Sequence, residues 1–283
     1  MTDTIGIVGQ GFVGSAIREG MKNDFNVQTY DKFKSDVSTC GSLQELCTTA
    51  QIVFVCLPTP MRKDGSCDLS ILEDTVAQIN SFKNNNIVIV KSTVVPGTTE
   101  RLNEENEHVD IVFNPEFLTE ANSIEDFKNQ NRIIIGGPRP ATTIVKNMYR
   151  KSFRDTPIVK TGSTIAEFVK YFINCFLATK VAYANEFSQM CDLQGVDYDK
   201  VVEYALYDKR IAPTHLSVPG PDGKNGFGGS CFPKDLNALI HFAKMNEVNP
   251  SVLSGVWDKN IDVRPERDWE LLKGRAVSEE QGE

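Results

Sequence analysis

Histidine is scarce in this chain of 283 residues: His108, His215 and His241 are scattered, at no spacing that would let them share a metal or build a His-based triad. The seven cysteines, Cys40, Cys47, Cys56, Cys67, Cys175, Cys191 and Cys231, are odd in number and contain no C-x-x-C pair. Neither a disulfide framework nor a zinc site is expected, so the expected metal count is none. No apolar run approaches the roughly 18 residues of a membrane span. Basic residues are the minority, 30 against 38 acidic ones for a net charge of −8, and no like-charge block exceeds the short Glu279-Glu280 pair. A nucleic-acid or anionic-membrane surface is therefore not expected. Met1-Thr2-Asp3-Thr4 lacks the basic region of a signal peptide, and the expected location is the cytoplasm. No repeat of 20–50 residues is visible. Hydrophobic residues at 40 % and charged ones at 24 % are what remains, the balance of a globular protein long enough for two domains.

The first 160 residues alternate β-rich runs with helical stretches, the pattern of a parallel sheet covered on both faces. Strands are expected at 4–8, 26–30, 52–56, 87–91, 111–113, 132–135 and 157–160. Ile-Val-Phe-Val-Cys and Ile-Val-Ile-Val-Lys are continuous apolar runs, as central strands require. Ser42-Leu-Gln-Glu45 reads as a capping box, and Asp68 precedes a periodic helical segment at 69–82. A second capping box, Thr164-Ile-Ala-Glu167, opens a helix with nothing to break it before Gly195, far beyond the roughly 11-residue mean. Phe168, Tyr171, Phe172, Cys175, Phe176, Ala178 and Thr179 lie nearly all round it, as in a buried helix or a dimer seam. Further helices are expected at 198–207 and 233–244 around a Gly- and Pro-rich loop at 211–231. The fold class is α/β, a Rossmann-type doubly wound parallel sheet at 1–161, then a helical domain built on the long helix at 162–277, then a disordered tail at 278–283.

Gly9-Gln-Gly11-Phe12-Val13-Gly14 is G-x-G-x-x-G directly after a strand and opening a helix. Gly9 allows a tight turn, Gly11 lets backbone approach a pyrophosphate, and Gly14 lets helix and strand pack closely. Asp31 ends the second strand 22 residues after Gly9, where a carboxylate accepts hydrogen bonds from ribose hydroxyls and repels a 2′-phosphate. NAD is therefore expected in preference to NADP. Leu57-Pro58-Thr59-Pro60 and Ser92-Thr93 end later strands, at the edge of the sheet where ligands of such folds bind. Ordinary turn chemistry explains either stretch taken singly.

Asn114-Pro115-Glu116-Phe117-Leu118-Thr119-Glu120 holds two carboxylates four residues apart. On a helical turn they would share a face, and like charges held close raise one pKa, which suits acid/base work. A solvated helix start is the plainer reading. Lys170 and Asn174 lie one turn apart on the long helix, able to hold a sugar oxygen or a water, or simply to form a polar face. The most distinctive segment is Gly226-Phe227-Gly228-Gly229-Ser230-Cys231-Phe232-Pro233-Lys234-Asp235. Its small residues bring backbone close to a ligand, and Pro233 suits the first turn of a helix. Cys231 then sits at a helix N-terminus beside Lys234, two features that each favour a nucleophilic thiolate. The other six cysteines are expected to be inert packing.

Together with Lys91-Ser-Thr93 and Asp208-x-Arg210-Ile, these segments resemble, in order along nearly the whole chain, the UDP-glucose/GDP-mannose dehydrogenase family of NAD-dependent nucleotide-sugar dehydrogenases. The resemblance implies a nucleotide-sugar substrate, a homodimer formed by the long helix, and a four-electron oxidation of a sugar CH₂OH to a carboxylate with two NAD. It implies that Cys231 captures the intermediate aldehyde, that Lys170 and Asn174 stabilise an oxyanion or position water, that Glu116 is the base with Thr93 beside it, and that Asp235 assists near Cys231. Gly9, Gly11, Phe12, Val13, Gly14, Asp31, Leu57, Thr59, Pro60, Ser92, Thr93, Glu120 and Lys234 would hold NAD. Glu116, Phe117, Leu118, Lys170, Asn174, Arg210, Phe227 and Gly228 would hold the sugar nucleotide, Arg210 reaching a neighbouring subunit. Family members carry a third domain after the central helices, whereas the sequence here ends 52 residues beyond Cys231. The basic residue that the family places shortly after the ribose-binding carboxylate is a second departure, for which Lys32 or Lys34 could substitute. Two alternatives stay open: a two-electron β-hydroxyacid dehydrogenase, which needs no thiol, and a catalytically silent NAD-binding dimer module.

Overall fold

The computed structural model describes residues 3–279 and divides the chain into two compact units. The first, Met1–Thr59 with Leu69–Lys170, is built on β1 (Thr4–Val8), α1 (Phe12–Met21), β2 (Asn26–Tyr30), α2 (Leu43–Thr49), β3 (Ile52–Val55), α3 (Ser70–Ser81), β4 (Asn86–Val90), α4 (Thr98–Glu105), β5 (Val109–Phe113), α5 (Ser123–Lys128), β6 (Ile133–Gly136), α6 (Ala141–Ser152) and β7 (Ile158–Thr161). The strands form one seven-stranded sheet in the order β2-β1-β3-β4-β5-β6-β7, parallel except where β6 meets β5. Each expected strand is present, β1 and β2 with the expected ends and the others with ends moved by one or two residues.

The continuous apolar runs are read out on two faces. Ile52 and Phe54, Ile87 and Ile89, and Val112 join one core with Ala16, Ile17 and Met21 of α1 and Val145 and Met148 of α6. Val53 and Val55, Val88 and Val90, and Ile111 and Phe113 join the other with Leu46 of α2, Leu72 and Val76 of α3 and Leu102 of α4. The alternation follows from the two-residue period of a strand, and a strand covered on both faces has no polar side to spare. Ser42 caps α2 as expected, accepting from the Glu45 amide at 3.1 Å, while the Glu45 carboxylate takes the Gly41 amide. Asp68 is not the cap of α3, whose N-cap is Leu69; it pairs with Arg62 at 2.9 Å.

The second unit comprises Pro60–Asp68 and Tyr171–Glu283. It takes most of the 31-residue α7 (Ser163–Leu193), with α8 (Tyr198–Ala205), α9 (Phe232–Met245) and α10 (Ser251–Val263). The division thus falls within α7, where the expectation was a boundary at 161 ahead of it, and the loop Pro60–Asp68 belongs with the helices. The capping box expected at Thr164 does not close: Glu167 turns its carboxylate to the backbone amides of Gly97 and Thr99, and Thr164 bonds Glu100. Nor is α7 buried all round. Tyr171, Cys175 and Ala178 are buried, but Phe168, Phe172 and Phe176 are exposed. Of the expected disordered tail, Ser278 is tied down by the Met61 carbonyl at 2.8 Å and the Asp68 carboxylate, and residues 280–283 lie outside the described residues. No helix among the described residues is long and apolar enough to cross a membrane.

A Cβ added at Gly14 would lie 1.9 Å from the Gly9 carbonyl oxygen, whereas one at Gly11 meets nothing within 4 Å. Gly14→Ala should lower stability by about 2 kcal/mol or more through overpacking, and Gly11→Ala should stay within about 1 kcal/mol of wild type. Thermal denaturation of the two variants checks both; equal melting temperatures would contradict the close packing.

Candidate functional site

In the first unit, Gly9 ends β1 with φ +86° and Gly11 is the N-cap of α1, so the first amides of that helix are presented at the carboxyl edge of the sheet. The space above Gly11 is the cradle that an approaching phosphate requires, and here it is open. Asp31, just past β2, accepts from the Gln10 amide at 2.7 Å and from the Phe33 and Lys34 amides at 2.9 and 3.1 Å. These bonds fix the carboxylate beside the glycine turn. Lys34 donates to the Gln10 carbonyl at 3.1 Å, which places a cation at the same turn. Phe12 and Val13 are half-buried on α1.

The loops after β3 and β4 are stitched to each other. The Leu57 amide donates to Ser92 Oγ, which donates in turn to the Leu57 carbonyl at 2.6 Å, and Thr59 Oγ1 donates to the Thr93 carbonyl at 2.7 Å. The hydroxyls of Ser92 and Thr59 thus shape a two-loop rim, with Thr93 buried in it.

Glu116 is where the structure departs most from the paired-carboxylate reading. Residues 114–119 are not helical, Glu116 is buried and Glu120 is exposed, so the two carboxylates form no pair. The partner of Glu116 is Lys170 of α7, whose Nζ lies 2.9 Å from Oε1 and 2.6 Å from the Glu116 carbonyl oxygen. Burial alone would raise the Glu116 carboxyl, but the charge and hydrogen bond of Lys170, the Leu118 amide and the charge of Lys91 outweigh it, and the group sits below the ordinary glutamate value. A carboxylate held ionised in a buried place is a proton acceptor in waiting. Lys91, just past β4, is buried too; its Nζ donates to Asn114 Oδ1 at 2.8 Å, the oxygen that also accepts from Tyr149 at 2.6 Å. Burial pushes the Lys91 ammonium down to about 8. Phe117 is capped by Arg132, 4.1 Å from its ring centroid, with Lys170 at 5.4 Å, and Leu118 packs against the sheet core. A cleft of about 270 Å³ opens here among Lys91, Glu116, Phe117, Thr119 and Arg132.

In the second unit, the glycine-rich segment leads into α9 with Cys231 as its N-cap and Pro233 in the first turn. Asp235 is buried, and its oxygens are divided between Lys234 Nζ at 2.5 Å and Asn174 Nδ2 at 2.6 Å. Burial works against the Lys234 ammonium, yet Asp235, Cys231 and Cys67 raise it above the ordinary lysine value. Asn174 lies on the part of α7 that belongs to this unit, one helical turn along the sequence from Lys170. Phe227 is buried, its ring edge-on to Phe232, and Gly228 lies against Arg264. Arg210 is 89 % exposed and clamps Asp208 of its own turn. Pro60 is buried and closes a turn with the Asp68 amide. Among the cysteines expected to be inert, Cys40, Cys47, Cys175 and Cys191 are buried, while Cys56 and Cys67 are half-buried.

Several residues that build the site carry no motif. Asn260 of α10 pairs with both backbone groups of Phe227, at 2.7 and 3.0 Å, and Asn185 of α7 accepts from the Gly226 amide. Arg264, 2 % exposed, ties Asp222, Asp268 and the Asn225 carbonyl. Glu167 holds the start of α4, and burial raises its carboxyl above the ordinary value. In sequence, the only signal for Asn260 and Arg264 is a polar pair at i, i+4 on a helix that no start signal announces.

Two family models match the chain: the NAD binding domain of the UDP-glucose/GDP-mannose dehydrogenase family over residues 32–153 and the central domain of that family over residues 164–262. The UDP-glucose 6-dehydrogenase of Pseudomonas aeruginosa is 36 % identical over 251 residues, covering 83 % of this chain and 54 % of that protein. The UDP-glucose 6-dehydrogenase of Haloferax volcanii is 35 % identical over 240 residues, covering 78 % of this chain and 54 % of its own length. The chain thus spans about half the length of these curated relatives. A UDP-glucose dehydrogenase structure from Pyrobaculum islandicum superposes with a TM-score of 0.83 at 28 % identity, over 92 % of this chain and 68 % of that one.

Lys91 supplies a test of the buried charge. Its folded value of about 8 lies below the 10.5 of the free side chain, so the unfolded chain holds its proton more tightly. The resulting penalty is present in full below pH 8 and fades as pH rises from about 8 to 10.5, where both states become neutral. Lys91→Met should therefore stabilise the fold at pH 7 by about 1–3 kcal/mol, less the hydrogen bond to Asn114, and the gain should vanish near pH 11. Urea denaturation at the two pH values checks it; a variant less stable at pH 7 would show that the amide partner outweighs the burial.

Proposed function

This chain belongs to the UDP-glucose/GDP-mannose dehydrogenase family, and we propose that it is an NAD-dependent nucleotide-sugar 6-dehydrogenase that oxidises UDP-glucose, or a close relative of it, to the uronate. The carrying observation is Cys231 at the N-terminus of α9, within the charge field of Lys234, on the same unit as the Asn174–Asp235 pair. An alcohol-to-aldehyde oxidation needs no thiol. An aldehyde-to-acid oxidation does benefit, because hydride can leave only from a tetrahedral carbon, and a thiolate adds to the aldehyde to make one.

Gly9, Gly11, Gly14 and Asp31 would hold NAD, the amides of α1 toward the pyrophosphate and the Asp31 carboxylate toward the adenosine ribose. When bound, NAD supplies the hydride acceptor. The chain's own groups have separate tasks. Cys231 sulfur bonds to the aldehyde carbon as a thiohemiacetal and keeps that carbon through its further oxidation to the thioester. Lys170 and Asn174 face the oxygen that gains charge, and Glu116, held ionised by Lys170, takes the proton of the water that hydrolyses the thioester and frees the thiol. Asp235 fixes Asn174 and Lys234 in place. Thr93, Phe117, Leu118, Phe227, Gly228 and Arg210 complete the proposed substrate and water contacts.

We place a homodimer in the same reading. Phe172, Phe176 and Tyr183 of α7 are 72, 57 and 61 % exposed, and Met190 and Leu193 continue the line at heptad spacing. The Phe172 and Phe176 rings stack on each other at 6.2 Å, so the face is ordered as well as apolar. An exposed apolar line on a long helix, interrupted at Thr179 and Glu186, fits the same line on a second copy.

Two experiments test the reading. NADH formation with UDP-glucose should give about two NADH per uronate, and Cys231→Ser should cut steady turnover by at least about a hundredfold, because a hydroxyl replaces the thiolate; wild-type turnover in the Ser variant would favour a two-electron alcohol dehydrogenase. Sedimentation should show a dimer at micromolar concentration that Phe176→Asp converts to monomer, and a monomeric wild type would remove the seam.

A further inference from the structure

The glycine-rich segment ahead of Cys231 rests on α10 through two side chains one helical turn apart. Asn260 takes both backbone groups of Phe227, and a Cβ on Gly226 would lie 2.5 Å from its Oδ1. Arg264, the residue that ends α10, lies against Gly228. Its guanidinium is buried and nearly saturated. Nε and Nη2 form a fork on the Asp268 carboxylate at 2.8 Å each, Nη2 also donates to Asp222 at 2.7 Å, and Nη1 donates to the Asn225 carbonyl at 3.2 Å. Asp268 opens the short turn Asp268–Leu271, and the next residue pins that turn: Trp269 is buried, with its ring 5.3 Å from that of Trp257 on α10. The ion pair is therefore held at both of its ends by the same helix.

A Cβ on Gly228 would lie 2.5 Å from Nη2 of Arg264 and 2.6 Å from Oδ1 of Asp268. Neither atom is free to give way, because each is tied to the other residue and Arg264 to Asp222 and Asn225 as well. Residue 228 is thus a glycine because the ion pair fills the place of a side chain, whereas a Cβ on Gly229 meets nothing within 4 Å. The far end of the segment is fixed too, since Asp235 in the first turn of α9 holds Asn174 at 2.6 Å. Only Gly229 and Ser230 separate Gly228 from Cys231. A shift at Gly228 reaches the thiol with two residues to absorb it. A buried arginine is a costly support for a loop, but its fork onto a carboxylate supplies direction as well as attraction.

We propose that Arg264 is a positioning residue for Cys231: with Asp268 it forms the bed on which Gly228 rests, and so sets the backbone from which the thiol is presented. The proposal rests on Cys231 being the reactive thiol of the functional reading. Arg264 touches no reacting atom in that reading and acts through the loop alone.

The test uses the full chain and the variants Gly228→Ala, Arg264→Lys, Arg264→Met and Asp268→Asn. Thermal melts identify those that fold; alkylation of Cys231 by iodoacetamide is then followed across pH by peptide mass, and NADH formation is measured with UDP-glucose. In the folded variants the pH profile of Cys231 alkylation should shift and kcat should fall by about 10–100-fold, while KM for NAD stays within about twofold. Arg264→Lys keeps the charge but not the fork, so its kcat should lie between those of wild type and Arg264→Met. Gly228→Ala combined with Arg264→Met should be no slower than the slower single variant, because both act on one contact. Should Arg264→Met not fold, Arg264→Lys and Asp268→Asn carry the same readings. Alkylation of Cys231 with the wild-type pH profile in folded Gly228→Ala or Arg264→Lys overturns the proposal and leaves the ion pair a stability element. The two readings fail separately: altered alkylation in a chain that forms no NADH removes only the dehydrogenase, and NADH formation that depends on Cys231 beside unaltered alkylation removes only the positioning role.

Discussion

Polar groups enter the interior of this protein on α7, and each must meet a partner there. Glu167, Lys170 and Asn174 follow one another at i, i+3 and i+7, all buried. A buried charge without a partner costs several kcal/mol, roughly the margin by which a domain is stable. Glu167 answers this with the amides of Gly97 and Thr99, Lys170 with Glu116, and Asn174 with Asp235. Within the first unit the polar line of α7 therefore places the start of α4 and the loop after β5, and within the second it fixes the first turn of α9. The bonds that the proposed chemistry would use are also bonds of the fold, so a substitution at Lys170 or Asn174 would be read in stability as well as in any activity.

What was legible in the sequence follows from how far each signal reaches. The glycine turn at Gly9 and the strands around it are dictated locally, by a positive φ and by runs that have no polar side, and the structure places them within a residue or two. Thr164-Ile-Ala-Glu167 misleads for the opposite reason. A local cap and a remote helix start compete for one carboxylate, and the remote amides of Gly97 and Thr99 win, the Thr99 bond being buried with it. Glu116 and Glu120 fail as a pair because the intervening turn is not helical, and the residue that governs Glu116 is 54 positions away. Spacing along the chain cannot report such a partner.

The exposed aromatic line on α7 shows the same limit from another side. A helix apolar in every direction reads as buried, yet Tyr171, Cys175 and Ala178 turn inward and Phe172 and Phe176 turn out. Composition records how much apolar surface there is; only the packing says which part has been used.

The long loop between α8 and α9 is two materials joined end to end. Up to Asn225 nearly every residue is exposed, with Lys180 and Tyr198 reaching out to hold isolated carbonyls at Ala212, Thr214 and Leu216. From Gly226 onward the backbone is clasped by Asn185 and Asn260, with Arg264 pressed against Gly228. For a protease, which must draw an extended segment into its own cleft, the first part is bait and the second is closed. A nick near Lys209 would leave the cysteine loop standing, because the groups that fix that loop's shape, Asn185, Asn260 and Arg264 with its partner Asp222, all lie clear of the cut.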